Sequence, residues 1–152
     1  MLASCLIWCL CGATPLETVT AHRQHGRYEE AAEVLEPLVQ KATDDFDLQL
    51  AWSKILWDLG RRDEAAKVLE AAAKLDNVPA VLSAEQARQL FERGRYVEAD
   101  AAVKAALKAN GDEPLAHFIQ AHLLAERGDL KAATDGFRWF VRYYNRAQPT
   151  DA

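Results

Sequence analysis

Cysteine is scarce in this sequence and is confined to one end of it. The three cysteines, Cys5, Cys9 and Cys11, all lie within the first eleven residues of a 152-residue chain. Three is an odd number, and the thiols are lost from the mature protein if this segment is a cleaved signal. The cysteines therefore assign the protein to no redox compartment.

An excess of positive charge is also missing. The chain has 18 basic and 23 acidic residues, which give a formal net charge of −5, and it has no long run of like charges. Sequence-independent binding to nucleic acid or to an anionic membrane depends on clustered basic residues. The composition therefore argues against nucleic acid as a partner.

The apolar tract at residues 2–11, interrupted only by Ser4, is too short to span a bilayer as a helix. Its length suits the apolar part of a secretory signal, but no basic residue precedes it, since the first is Arg23. Two interpretations stay open. Residues 1–13 are either the remnant of a signal that begins upstream of Met1, in an exported or periplasmic protein, or an apolar segment packed on the following domain of a cytoplasmic protein.

The sequence offers no set of residues suited to catalysis. An active site needs a nucleophile, or a paired acid and base, held together in a pocket. Here the acidic residues and histidines are scattered over helix faces, and His117 and His122 are five residues apart, so they share a face poorly. We predict a protein that is not an enzyme and has neither a cofactor nor a small-molecule substrate.

What the sequence does contain is a regular repeat. Glycine recurs at one constant interval, at Gly26, Gly60, Gly94 and Gly128. Alanine follows each glycine after five residues, at Ala31, Ala65, Ala99 and Ala133. An interval of this length is typical of stacked supersecondary units. The chain is therefore predicted to repeat one unit four times.

Apolar residues on both sides of each glycine recur at three- and four-residue steps, the spacing of one helix face. Each unit is thus predicted to be a helix, a tight turn at glycine and a second helix. Thr14, Pro15 and Glu17 together predict the start of the first helix, because they combine an N-cap, a first-turn proline and half of a capping box. Pro37 falls inside the second helix and predicts a kink or an early end there.

The repeat resembles the tetratricopeptide repeat family. The resemblance is carried by four segments: Gly-Arg-Tyr-x-Glu-Ala-Ala at 26–32, Gly-Arg-Arg-Asp-Glu-Ala-Ala at 60–66, Gly-Arg-Tyr-Val-Glu-Ala-Asp at 94–100 and Gly-Asp-Leu-Lys-Ala-Ala-Thr at 128–134. It implies an all-α fold, a right-handed α-solenoid of antiparallel helix pairs. The domain is expected at residues 14–147, with repeats at about 12–45, 46–79, 80–113 and 114–147.

The sequence gives little support to a zinc site. Cys9, Cys11, His22 and His25 are ligands that zinc accepts. Two thiols separated by one residue are poorly placed for chelation, however, and His22 stands where the later repeats have leucine. We predict no metal.

The family resemblance implies that ligands bind on the inner surface, which the first helix of each repeat lines. Inward positions, found by stepping along the chain at the interval of the glycines, combine basic and aromatic side chains that suit an acidic or amphipathic peptide. The predicted partner-binding residues are Lys54, Trp57, Arg88, Phe91, Phe118 and His122. The leading hypothesis is a scaffold that binds a peptide segment of another protein in this groove.

The last helix predicts a second surface, because large apolar groups surround it on all sides. These are Phe137, Trp139, Phe140, Tyr143 and Tyr144. They favour either self-association of the chain as an assembly module or docking of further repeats in a longer exported protein. Residues 148–152 resemble the start of another helix that is cut short.

Overall fold

The computed structural model describes residues 14–147, and this part of the chain is all helical, with no strand. The helices are α1 Pro15–Gln24, α2 Tyr28–Val39, α3 Phe46–Asp58, α4 Arg62–Ala72, α5 Ala80–Glu92, α6 Tyr96–Ala109, α7 Pro114–Glu126 and α8 Leu130–Ala147. Each of the four predicted repeats contains two of them. The predictions made for residues 1–13 and 148–152 fall outside the described residues.

The chain divides into two compact units at Ala65, within α4. In the first unit, α1 begins at the predicted capping box: the backbone N–H of Glu17 donates to Thr14 Oγ1 at 3.2 Å, and the Thr14 N–H donates to Glu17 Oε2 at 2.7 Å. Helix α2 runs through Pro37 and ends two residues later. Helices α1, α2 and α3 bury a shared core of Val19, Ala31, Leu35 and Ile55.

In the second unit, α5 and α6 form a hairpin, α7 packs on both, and α8 packs on α7. Two of the buried clusters that the described residues form connect α5, α6 and α7. The larger one contains Ala87, Leu90, Ala99, Ala102, Val103, Ile119 and Leu123. The smaller one consists of the alanines Ala84, Ala106 and Ala116, whose short side chains let α5, α6 and α7 approach closely.

The four repeat glycines all end a first helix with the same backbone turn. Their φ angles are +71°, +77°, +73° and +82°, a region that residues with a Cβ enter at a cost. At the first of these turns, the N–H of Arg27 donates to the His22 carbonyl at 2.9 Å and that of Gly26 to the Arg23 carbonyl at 3.1 Å. The same pair of bonds recurs at every repeat. The turn thus sets the start of each second helix, on which the repeat alanines are 0 to 3% exposed.

Candidate functional site

The first unit contains an open groove between α1 and α3, the two first helices of their repeats. It has a volume of about 390 Å³. The lining includes Thr20, Arg23, Tyr28, Leu50, Lys54 and Asp58. The groove combines apolar side chains with hydroxyl, cationic and carboxylate groups, a mixture that suits a polypeptide segment better than a purely apolar ligand.

An ion pair connects the two helices at the groove. Arg23 Nε of α1 lies 2.5 Å from Asp58 Oδ2 of α3, with 42% and 21% of the two side chains exposed. This pair was not predicted from the sequence, although the separation of the two opposite charges in the chain is one residue more than the repeat interval. The two charges compensate each other, so this part of the groove carries no net charge.

Lys54 is the lysine of the groove. Its side chain is half-buried, and it forms no ion pair with any residue between 14 and 147. Asp47, on the exposed first turn of α3, adds a carboxylate to the lining besides the paired Arg23 and Asp58. Lys54 therefore keeps a positive charge available to a carboxylate-bearing ligand.

Trp57 does not line this groove. It is 9% exposed, and the guanidinium carbon of Arg62 lies 5.2 Å from the centre of its ring. The indole therefore contributes to the packing of α3 and offers little surface to a partner. The sequence could not distinguish these roles, because an aromatic residue at helical spacing fits either of them.

Arg88, in the second unit, has its charge compensated within its own helix. Its Nη2 lies 2.5 Å from Glu85 Oε1, and it also binds the Glu92 carboxylate. Burial lowers the pKa of Arg88, but the hydrogen bonds and charges of the two glutamates outweigh this effect and raise the pKa. The charge of Arg88 is thus neutralised by two glutamates of its own helix, whereas Lys54, at the same position one repeat earlier, has no ion pair among residues 14–147.

Three of the predicted partner-binding residues lie together in the second unit. Ring centroids are 5.5 Å apart for Phe91 and His122 and 4.5 Å apart for Phe118 and His122. Phe137 and Phe140 of α8 complete the cluster, at 4.9 Å from His122 and 4.8 Å from Phe118 respectively. Residues predicted for two separate surfaces therefore form a single half-buried aromatic cluster.

The rest of α8 is more open. Trp139 lies with its ring centroid 3.7 Å from that of His117, and Tyr143 stacks on Trp139 at 5.4 Å. Tyr143 and Tyr144 are 36% and 48% exposed. A second groove, of about 430 Å³, is lined by Asp112, Trp139, Arg142, Tyr143 and Arg146.

Among residues 14–147, no group of three or more histidine, cysteine or acidic side chains could hold a metal ion. Cys9 and Cys11 of the rejected zinc set lie outside that range. The Nδ1 atom of His25 lies 2.7 Å from the Ala21 carbonyl, and Nδ1 of His22 is buried without a hydrogen-bond partner in the described chain. None of the described helices is both long and apolar enough to cross a membrane.

Paired helices that join at a regularly spaced glycine define a helical-repeat protein, and the all-α repeat fold predicted from the sequence is confirmed. Profiles of the tetratricopeptide repeat match residues 22–88 and 84–152. The chain belongs to the tetratricopeptide repeat family. Members of this family are typically non-catalytic protein-interaction modules, and protein is accordingly the class of partner that the family supports. No curated protein matches the sequence.

Solved structures with the same fold share little sequence with the chain. MamA 41-end from Desulfovibrio magneticus RS-1 superposes with a TM-score of 0.68 at 17% identity, over 90% of this chain and 76% of that one. The APC/C hetero-tetramer Cut9–Hcn1 contains a chain that superposes with a TM-score of 0.75 at 13% identity, over 84% of this chain and 24% of that one. These identities establish the likeness of fold alone.

Proposed function

We propose that this chain is a non-catalytic scaffold that binds a peptide segment of a partner protein in the α1–α3 groove. The observation that carries the proposal is Lys54, a half-buried lysine that lines a groove and has no ion-pair partner in the described chain. A side chain in this position favours an acidic residue of the peptide.

The other groups of the groove suit the remainder of such a peptide. Leu50 and Ala51 supply apolar contact, while the Gln24 amide and the Tyr28 hydroxyl are able to bond to the peptide backbone. Cut9 was crystallised with Hcn1, so one structural relative with this fold binds another protein. We infer an extended, amphipathic segment with at least one carboxylate as the ligand.

The second unit has a different part in this proposal. Phe91, Phe118 and His122 offer half-buried ring surface, and we propose that they contact apolar residues of the same partner. Arg88 stabilises α5 by pairing with Glu85 and Glu92 of the same helix, and the buried Trp57 stabilises α3. Both support the binding surface without contacting the peptide directly.

The experiment compares Lys54→Glu with Lys41→Glu. Lys41 is an exposed lysine of the same unit that does not line the groove. Peptides are first selected by wild-type protein from a phage-displayed random library, and their affinities are then measured by fluorescence anisotropy. We expect enrichment of acidic peptides, binding at least about tenfold weaker to Lys54→Glu and unchanged binding to Lys41→Glu. Equal affinity for all three proteins would reject the groove as the site.

A further inference from the structure

The second helices of the four repeats change the sign of their charge along the chain. Helix α2 has four glutamates and no basic residue, whereas α8 has four basic residues and one aspartate. The helices between them are intermediate: α4 has three acidic and two basic residues, and α6 has two of each. The first helices show no such trend.

The change in charge occurs at equivalent, exposed positions. One position, taken once in each repeat, is occupied by Glu36, Glu70, Lys104 and Arg138. A second changes from neutral to basic and is occupied by Gln40, Lys74, Lys108 and Arg142. All eight side chains are exposed, so the change in charge concerns the surface of the repeats and not their buried cores. A protein can use such opposite patches to bring two copies together.

The two extreme stripes match in spacing. Glu29, Glu33 and Glu36 follow one line on α2, and Arg138, Arg142 and Arg146 follow one line on α8. At a rise of about 1.5 Å per residue, the stripes are about 10 Å and about 12 Å long. Two such helices lying side by side can therefore place the three glutamates opposite the three arginines.

The charges of these stripes are largely uncommitted within residues 14–147. Glu29 and Glu33 form no ion pair there, and neither do Arg142 and Arg146. Arg138 pairs with the carboxylate of Asp135 at 3.4 Å, with both side chains mostly exposed.

The basic stripe also borders apolar surface. Arg142 and Arg146 line the groove of about 430 Å³ together with the stacked rings of Trp139 and Tyr143. Asp112 contributes a carboxylate to that lining. Exposed ion pairs alone contribute little, whereas aromatic rings beside them add area that binding can remove from water.

We propose that α8 of one copy docks on the acidic face of α2 of a second copy. The contact joins two different surfaces, so it is heterologous, and each copy keeps a free α2 and a free α8 for the next one. It uses neither Lys54 nor the α1–α3 groove. A test that overturns self-association therefore leaves peptide binding in the groove unaffected, and the reverse also holds.

Sedimentation equilibrium of the purified chain tests this proposal. The wild-type mass rises with protein concentration, and association weakens at least about tenfold between low and high salt, because screening shortens the range of charge attraction. The double variant Arg142→Glu and Arg146→Glu is monomeric, as is the double variant Glu29→Arg and Glu33→Arg. An equimolar mixture of the two variants associates again, because each face meets its opposite in the other protein.

The control is the double variant Lys74→Glu and Lys108→Glu. It reverses charge at the position that Arg142 occupies in the last repeat, but in the two middle repeats, where Lys108 lies on α6 and Lys74 just beyond the end of α4. It should associate like the wild type, and circular dichroism should show equal helicity in all variants. A monomeric wild type, a mixture that stays monomeric, or an α2 variant that associates like the wild type would each overturn the proposal, the last by pointing to a contact between two α8 helices.

Discussion

Gly136 of α8 lies directly against Ala121 of α7. A Cβ atom added at Gly136 would be 2.9 Å from the Cβ of Ala121 and 3.5 Å from its Cα. The repeat position of Gly136 is occupied by Val68 and Ala102 in the two preceding repeats, so α8 approaches its partner helix more closely than a side chain there allows. The contact fixes the depth at which α8 sits on α7.

We predict that Gly136→Ala destabilises the protein. Overpacking costs about 1–3 kcal/mol, while alanine favours helix over glycine by about 1 kcal/mol, so the net loss should be about 1 kcal/mol. Urea unfolding measures this difference in the free energy of unfolding between the variant and the wild type. Gly111→Ala is the control, since the nearest atom to a Cβ there is the Leu107 carbonyl oxygen at 4.0 Å. A Gly136→Ala protein at least as stable as the wild type would show that the helices separate freely.

A second prediction concerns Trp57. Because the indole is 9% exposed, Trp57→Ala should lower the free energy of unfolding by about 3–5 kcal/mol, the usual effect of removing a large buried ring. Lys54→Glu, a change at a half-buried groove residue, should lower it by less than about 1 kcal/mol. Chemical unfolding followed by circular dichroism compares the two. A Trp57→Ala protein of wild-type stability would return this side chain to the set of partner-binding candidates.

The third prediction uses the carboxylate of Asp100. Lys104 Nζ lies 2.8 Å from its Oδ2, and Arg127 Nη2 lies 3.2 Å from its Oδ1, so Asp100 connects α6 to the end of α7. The hydrogen bond from Lys104 is the largest effect on its pKa. Burial acts against it, and the charge of Arg127 adds to it, so the pKa is lowered.

A folded-state pKa below the unfolded value makes the carboxylate stabilising above the unfolded pKa of about 3.9, and this stabilisation is lost as pH falls through the folded value. Asp100→Asn should therefore be less stable than the wild type at pH 7, by less than about 1 kcal/mol because the ion pairs are partly exposed. Thermal unfolding from neutral to acidic pH should show the two proteins converging below about pH 4. A stability difference that is constant with pH would mean that Asp100 acts through packing rather than charge.

The local features of this fold could be predicted because their causes are local. The turn at Gly60 needs a left-handed backbone, which glycine enters most easily, and the small side chain of Ala65 on the next helix fits a fully buried position. The N-cap at Thr14 depends on residues within one helical turn. Signals of this kind are complete within a few residues of sequence, so the repeat, its turns and its helix starts followed from the order of the amino acids.

The candidate site was less predictable, because exposure depends on what packs against each helix. Trp57 and Phe91 occupy the same repeat position, yet the first is buried and the second is a half-buried member of an aromatic cluster. Lys54 and Arg88 share another position, but of the two only Arg88 forms ion pairs with glutamates of its own helix. The periodic pattern identifies equivalent positions, but equivalent positions do not have equivalent surroundings.

The sequence by itself determined the four paired helices, the glycine turns between them and the family to which the chain belongs, since these depend on backbone preferences and short-range spacing. Tertiary packing decided that the groove of the first unit presents Lys54, that Trp57 belongs to the interior, and that Phe118 and His122 form one cluster with the aromatic residues of α8. Those outcomes depend on contacts between residues far apart in the chain, and such contacts exist only when the helices have come together.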